Sequence, residues 1–465
     1  MNSVDTLLPS ISEDDLIFYV RNQRWFASKS REVAHATIVD TAPIRREAPF
    51  LVLALLEVRF DTGTHETYQV LLGLRPVSDG WADAITRLDG WDVYGALSDP
   101  QLARELVHLV RASATERAGE GTVEFRPLEG FAGLGRELVT ARRITSEQSN
   151  SSVVFDDELI LKCFRRLEAG INPELELVRF LTEHGFRNVP ELGGWYAYLG
   201  APMEATLGIL QRYIPGGRDG WELALDEIAS APDQLLGRLR RLGGVTGNMH
   251  RILGSDSSDP TFAPEEPSTE SPGLLTASVD QEIEAMFLDL PDDDVVAPIA
   301  GRGEEVRERL RQLTFVESFG RLIRHHGDFH LGQTLWADDD WYLLDFEGEP
   351  ARSLPERRQK RSPLRDVAGM LRSISYAVSA AEIVHGAHLP EGWEAHARSE
   401  FLDGYLDTVD QGLLPPSRDS VDRLIEVFEL EKAMYELRYD LNNRPDWVKI
   451  PVDGILRLLE QPLGA

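Results

Sequence analysis

Apolar and polar positions change rhythm several times along this chain, and each change marks a predicted element. Residues 50–60 (FLVLALLEVRF) and 66–74 (ETYQVLLGL) are apolar runs with β-branched and aromatic side chains, which predicts two strands. A short helical stretch over 14–24 precedes them, so residues 1–90 read as a small α/β cap. Helical spacing follows over 103–115 and a strand over 122–126 (TVEFR), making 91–134 an intermediate subdomain with a soft boundary at 130–133. Residues 135–210 alternate strand (137–144), turn, strand (152–155), strand (158–164), a helix over 172–184 and further strands. Asn172 suits the cap position of that helix, and Pro173 its first turn, where a missing N–H costs nothing. Leu235, Leu236, Leu239, Leu242 and Val245 recur on one face of a helical stretch over 220–253. The Ser/Asp/Pro/Glu-rich segment 255–273 predicts an exposed loop, and helix resumes at 279–288. From 211 to 465 the pattern is mostly helical, broken by two short strands.

Composition narrows the partners. With 42% hydrophobic and 27% charged residues the chain is globular. Its 78 acidic residues against 48 basic ones leave a formal charge of −30, which repels phosphate backbones and anionic lipids, so neither nucleic acid nor membrane is expected as a partner. An anionic substrate must then meet a local cationic or metal-filled pocket. Cys163 is the single cysteine, which excludes an internal disulfide and fits a reducing compartment. The first residues lack the pattern of a signal peptide and no apolar run reaches the ~18–20 residues of a membrane span, so a cytoplasmic location is expected.

The densest chemistry lies at 324–333 (RHHGDFHLGQ) and 341–346 (WYLLDF). Phosphoryl transfer needs a group that orients the attacking hydroxyl and oxygen ligands that hold Mg²⁺ on the phosphates. Asp328 is the candidate base. Gln333, five residues on, and Asp345, closing an apolar strand, are the candidate metal ligands, with the spacing of the Asp-x4-Asn kinase pattern. The 17-residue spacing of the two aspartates leaves room for one hairpin. A zinc site built from His325, His326 and His330 is the rival reading, but it leaves Gln333 and Asp345 without a role. Lys162 stands inside the apolar run 159–164 (LILKCF), where a buried ammonium requires an anion; Glu174 or Glu176 on the next helix can supply one and nucleotide phosphates a second. The polar turn 147–152, with Ser149, Asn150 and Ser151, is the candidate phosphate-covering turn, although it holds no GxGxxG.

Residues 326–333 and 345–350 (DFEGEP), with QRWF at 23–26, EQSN at 147–150, NPE at 172–174 with Glu176, SP at 362–363, RDVAGMLR at 365–372, EKA at 431–433 and NRPDW at 443–447, resemble the maltokinases, relatives of the aminoglycoside phosphotransferases. That resemblance implies an α+β, bilobal protein-kinase-like fold, with the N-terminal α/β cap before it, a small lobe over 135–210 and a mostly helical large lobe over 211–465. It implies transfer of the γ-phosphate of ATP, with Mg²⁺, to the anomeric hydroxyl of maltose, giving maltose 1-phosphate within trehalose-to-α-glucan metabolism, and a trehalose synthase as partner. Asp328 takes the catalytic position and Gln333 and Asp345 the metal positions. Lys162 and Glu176 form the phosphate-anchoring pair, while the hinge segment 209–213, with Gln211 and Tyr213, pairs with adenine. Arg365, Glu431, Lys432, Tyr435 and Tyr439 are the implied sugar contacts, with His330 beside them. Relatives that phosphorylate glucosamine, or aminoglycosides, are the alternative reading of the same motifs, and a pseudokinase acting as a binding module is a second.

Overall fold

The computed structural model describes residues 7–77, 84–144, 149–314 and 318–460. The chain divides into two compact units, Met1–Thr182 with Pro190–Pro215 and Glu183–Val189 with Gly216–Ala465.

The first unit holds two antiparallel sheets. In one, Val33–Arg45, Phe50–Phe60, His65–Pro76, Trp91–Gly95 and Ala84–Leu88 lie in that order, and Arg166–Leu167 pairs with His65–Pro76 as a sixth strand. The helix Glu13–Arg21, capped by the Ser12 side chain, precedes them. Trp25, Phe26, Val52, Leu56 and Tyr68 form the core there. The other sheet runs Thr115–Arg117, Gly121–Pro127, Leu192–Gly200, Ala205–Arg212, Leu159–Cys163, Ser151–Phe155 and Arg142–Arg143. Strands from 91–134 and from 135–210 therefore share a single sheet. Gln69 ties the two sheets, donating from Nε2 to Phe164 O (2.8 Å) and Leu207 O (2.7 Å) and accepting from Tyr196 Oη (2.8 Å). The expected strand over 137–144 shrinks to Arg142–Arg143. The Asp156 carboxylate accepts the Val139 and Thr140 N–H groups at 2.9 and 2.6 Å, so a side chain replaces the ladder there.

The second unit is mostly helical. The expected helix over 220–253 appears as two, Gly220–Ser230 and Pro232–Leu253, because Pro232 has no N–H to continue the first and starts the second. Pro232–Leu253 packs backbone to backbone on Trp393–Leu406: a Cβ on Gly243 would fall 1.9 Å from Phe401 O. Leu364–His385 is long and apolar enough to pass for a membrane span, but it is mostly buried inside the unit and acts as its central helix. The polar segment 255–273 is ordered by a clasp. Lys360 Nζ donates to Pro260 O (2.6 Å), Ala263 O (2.7 Å) and Glu265 Oε1 (2.7 Å), and Glu265 exchanges two backbone hydrogen bonds with Leu322.

Candidate active site

Residues 326–345 enter as a loop, turn once through Leu331–Gln333 and form the antiparallel hairpin Thr334–Ala337 with Asp340–Leu343. The loop is pinned from beneath by Asp366, on the central helix and almost fully buried. Its carboxylate accepts the N–H groups of His326 (2.8 Å) and Gly327 (3.0 Å) and meets His250 Nε2 at 3.0 Å, while His250 Nδ1 lies 3.1 Å from Tyr405 Oη. Burial pushes the Asp366 carboxyl up, yet His325, the His250 hydrogen bond and His326 outweigh it and hold the group well below the usual carboxylate range. His326 is held by Nε2 against Leu344 O (2.8 Å) and packs its ring on Phe346 at 4.6 Å and Phe329 at 5.1 Å. That occupation removes the basis of the histidine zinc site. Gly327 has φ 88, and a Cβ there would lie 3.3 Å from Gly348 Cα, so the turn needs glycine on both counts.

Asp328 projects from this loop toward Lys432 on the helix Arg418–Asn443. Lys432 Nζ lies 3.0 Å from Asp328 Oδ1 and 3.5 Å from Glu349 Oε1. Burial raises the Asp328 pKa, but Lys432 and His330 together carry it below its ordinary value. The Lys432 ammonium loses by burial and recovers more from Asp328 and Glu349, so its pKa is raised. Burial is also the main reason the His330 imidazole is held below its usual value. Gln333 Nε2 lies 3.4 Å from Asp345 Oδ2, and Asp345 adopts a left-handed backbone, φ 59, rare outside glycine and frequent at functional positions. One amide and one carboxylate, both oxygen donors, fit a magnesium ion, provided that the Gln333 amide turns its oxygen inward.

Two cavities of this unit flank the Lys432–Asp328 pair. The larger, about 430 Å³, is lined by Trp221, His330, Tyr376, Tyr435, Tyr439, Glu436 and Asp440. Tyr435 and Tyr439 stack at 6.4 Å, and Tyr439 is 42% exposed, so the pair is no piece of core. Glu436 binds Arg372 at 2.5 Å, and Asp440, pushed up by burial, accepts from Tyr376 Oη at 2.8 Å. The smaller, about 220 Å³, is arginine-rich, and Arg365 and Glu431 meet there at 2.8–2.9 Å.

In the first unit, Lys162 Nζ contacts Glu174 Oε2 at 2.7 Å, and the Glu174 N–H donates to the capping Asn172 Oδ1 at 2.8 Å. Glu174, buried in the first turn of Pro173–Glu183, is thus a carboxylate against Lys162, and Glu176 lies two residues further along the same helix. The side chains of Asn150 and Ser151 turn inward: Arg165 donates its N–H to Asn150 Oδ1 (3.4 Å) and its Nε to Ser151 Oγ (2.9 Å). Ser149 is exposed; Glu147 and Gln148 of that turn lie outside the described residues. In the hinge segment, Arg212 N–H is taken by Glu191 O and Tyr213 N–H by Glu158 O, both at 2.8 Å, and the Gln211 side chain donates to Pro190 O at 3.2 Å. Pairing with adenine through this segment would therefore have to use its carbonyls. Asp366, His250 and Glu349 were missed as site residues. The signal was present as an aspartate in the apolar helical run 364–371 and a histidine on the apolar face of 245–253.

Residues 19–99 match the model of a maltokinase N-terminal cap domain and residues 140–402 that of the phosphotransferase enzyme family. A glucosamine kinase of Streptacidiphilus jiangxiensis is 26% identical over 416 residues, 82% of this chain and 92% of that protein. A glucosamine kinase of Mycolicibacterium smegmatis is 24% identical over 339 residues, 69% and 80% of the two chains. A solved glucosamine kinase in complex with glucosamine, ADP and inorganic phosphate shares the fold with a TM-score of 0.69 at 20% identity, over 95% of this chain and 98% of the other.

Proposed function

We propose, for a chain that belongs to the phosphotransferase enzyme family, that it is an ATP-dependent sugar kinase with an aminosugar of the glucosamine type as acceptor. The observation that carries this reading is the aromatic cavity that opens on Asp328 and bears two carboxylates, Glu436 and Asp440, in its wall. Ring faces suit a pyranose, and the carboxylates suit its ammonium group. The two glucosamine kinases similar over most of this chain support the same acceptor.

In this reading the acceptor hydroxyl gives its proton to Asp328, which Lys432 keeps ionised and aimed. His330, held neutral by burial, lines the acceptor side, and Tyr435 and Tyr439 carry the ring. Gln333 and Asp345 hold magnesium, whose chemistry is to neutralise charge on the transferring phosphoryl group. Lys162, braced by Glu174, is the cation for the nucleotide phosphates, and the Ser149–Ser151 turn and the Gln211–Tyr213 segment complete nucleotide binding. Arg365 and Glu431 satisfy one another, so their part is to brace the helix that carries Lys432.

Maltose is the second reading, favoured by the match to a maltokinase cap domain and by the resemblance of 431–447, and a trehalose synthase partner belongs to it alone. A panel of glucosamine, maltose, glucose and an aminoglycoside under saturating Mg-ATP, read as ADP release, separates the two. Turnover highest with glucosamine upholds the first reading, turnover confined to maltose replaces it by the second, and no turnover with any sugar sinks both.

A further inference from the structure

The smaller cavity shares Asp328, Lys432 and Tyr435 with the acceptor cavity, but it has a further wall that the reaction does not use. Its wall is unusual for a chain of charge −30: Arg352, Arg357, Arg361, Arg365 and Arg438 all border it beside Lys432. Most of the facing carboxylates are already engaged. Glu431 holds Arg365 at 2.8 Å, Glu349 holds Arg352 at 2.6 Å, Asp328 holds Lys432, and Glu356 caps its own helix through Ser353 at 2.6 Å. Arg361 has no carboxylate partner among the described residues; its Nη2 donates to the neutral Gln359 Oε1 at 3.1 Å. A half-buried guanidinium without a directly paired carboxylate is costly, and burial together with Arg365 and Arg352, only partly offset by Glu431 and Glu349, lowers its pKa to about 10. A second group points the same way. His325 is buried against this cavity, its Nδ1 has no hydrogen-bond partner among the described residues, and burial keeps the ring neutral, down to about 3. A neutral imidazole with a free nitrogen can share a proton with an oxyanion.

We propose that this cavity is a phosphate-binding site distinct from the nucleotide site, taking inorganic phosphate or the phosphoryl group of a sugar phosphate between Arg361 and His325. Fork-shaped guanidinium donors match the oxygens of a phosphate, and a local cluster is the only way this acidic molecule can hold such an anion against its own field. The site does not depend on which sugar is phosphorylated.

Calorimetric titration of the full chain without nucleotide or Mg²⁺ tests it, using inorganic phosphate in one arm and glucosamine 6-phosphate in the other. Wild type and Lys162→Met are both expected to bind phosphate, since Lys162 belongs to the nucleotide set. Arg361→Gln is expected to weaken binding about tenfold or more and Arg361→Lys less, with thermal melts unchanged. Tighter binding of the sugar phosphate through Arg361 identifies a sugar phosphate as the occupant; equal or preferential binding of inorganic phosphate identifies the free anion. Absence of phosphate binding by wild type, or binding that disappears in Lys162→Met and ignores Arg361→Gln, overturns the proposal. Because no turnover enters these readings, they stand or fall apart from the kinase assignment.

Discussion

Lys432 and Asp328 are 104 residues apart in sequence and 3.0 Å apart in the site, and no other cation lies as close to the Asp328 carboxylate among the described contacts. Removing the ammonium leaves burial as the dominant influence on Asp328. In Lys432→Met the acid limb of the kcat–pH profile should therefore move upward, by on the order of one pH unit. Asp328→Asn should cost ~10²–10⁴-fold in kcat while nucleotide still binds. An unmoved acid limb in Lys432→Met would show that the pair does not set the ionisation of Asp328.

Asp366 supports the loop with three polar contacts. Asp366→Ala strands the His326 and Gly327 N–H groups and His250 at once, and is expected to destabilise the protein by roughly 3–5 kcal/mol in urea denaturation. In wild type its folded pKa lies below the unfolded one. The stabilisation is thus complete above the ordinary carboxylate range and is lost as pH falls through that range toward the folded value. A urea midpoint for Asp366→Ala within error of wild type would contradict this support.

His325 gives a second acid-sensitive contribution of the same sign. Its folded pKa, about 3, is below the ordinary 6.5, so the unfolded chain binds the extra proton and stability declines as pH drops from about 6.5 toward 3. His325→Gln should flatten the pH dependence of the melting temperature across that window. An unchanged slope would mean that the imbalance lies elsewhere.

Gly327→Ala asks a left-handed position to accept a Cβ that also crowds Gly348. A loss of about 1–2 kcal/mol is expected, with kcat falling more than nucleotide affinity, because the strain sits in the loop that aims Asp328. Equal losses in both would place the effect in global stability.

The geometry of the Asp328 loop and its hairpin was legible because its parts are short-range. Asp328, Gln333 and Asp345 belong to a single loop and hairpin, so their spacing already restricts their geometry, and the hairpin forms as expected. The carboxylate against Lys162 was harder to choose. Glu174 and Glu176 sit in the same first turn, and the helix phase with the Asn172 cap, which spacing alone does not fix, brings Glu174 against Lys162. Asp366 and His250 escaped because a lone polar residue in an apolar helix is a faint signal that names no partner, and the partners of Asp366 lie 40 and 116 residues away. The polar turn at 149–151 has a neighbour that spacing does not reveal: Arg165 donates to Asn150 Oδ1 and Ser151 Oγ, and its nearness depends on strand pairing invisible in the sequence.

The Lys360 clasp changes what the segment 255–273 can tolerate. A single side chain grips the carbonyls of Pro260 and Ala263 and the carboxylate of Glu265, and Arg321 pairs with Glu266 at 3.0 Å, so the anchored stretch runs to Glu266. Residues 267–270 are the slack between that knot and the helix Ser271–Leu288. Insertions there should lengthen the slack without displacing Leu322 and the residues that lead into the loop bearing Asp328, so this stretch is where the protein can take up a foreign peptide tag or drift in length while that loop stays in register.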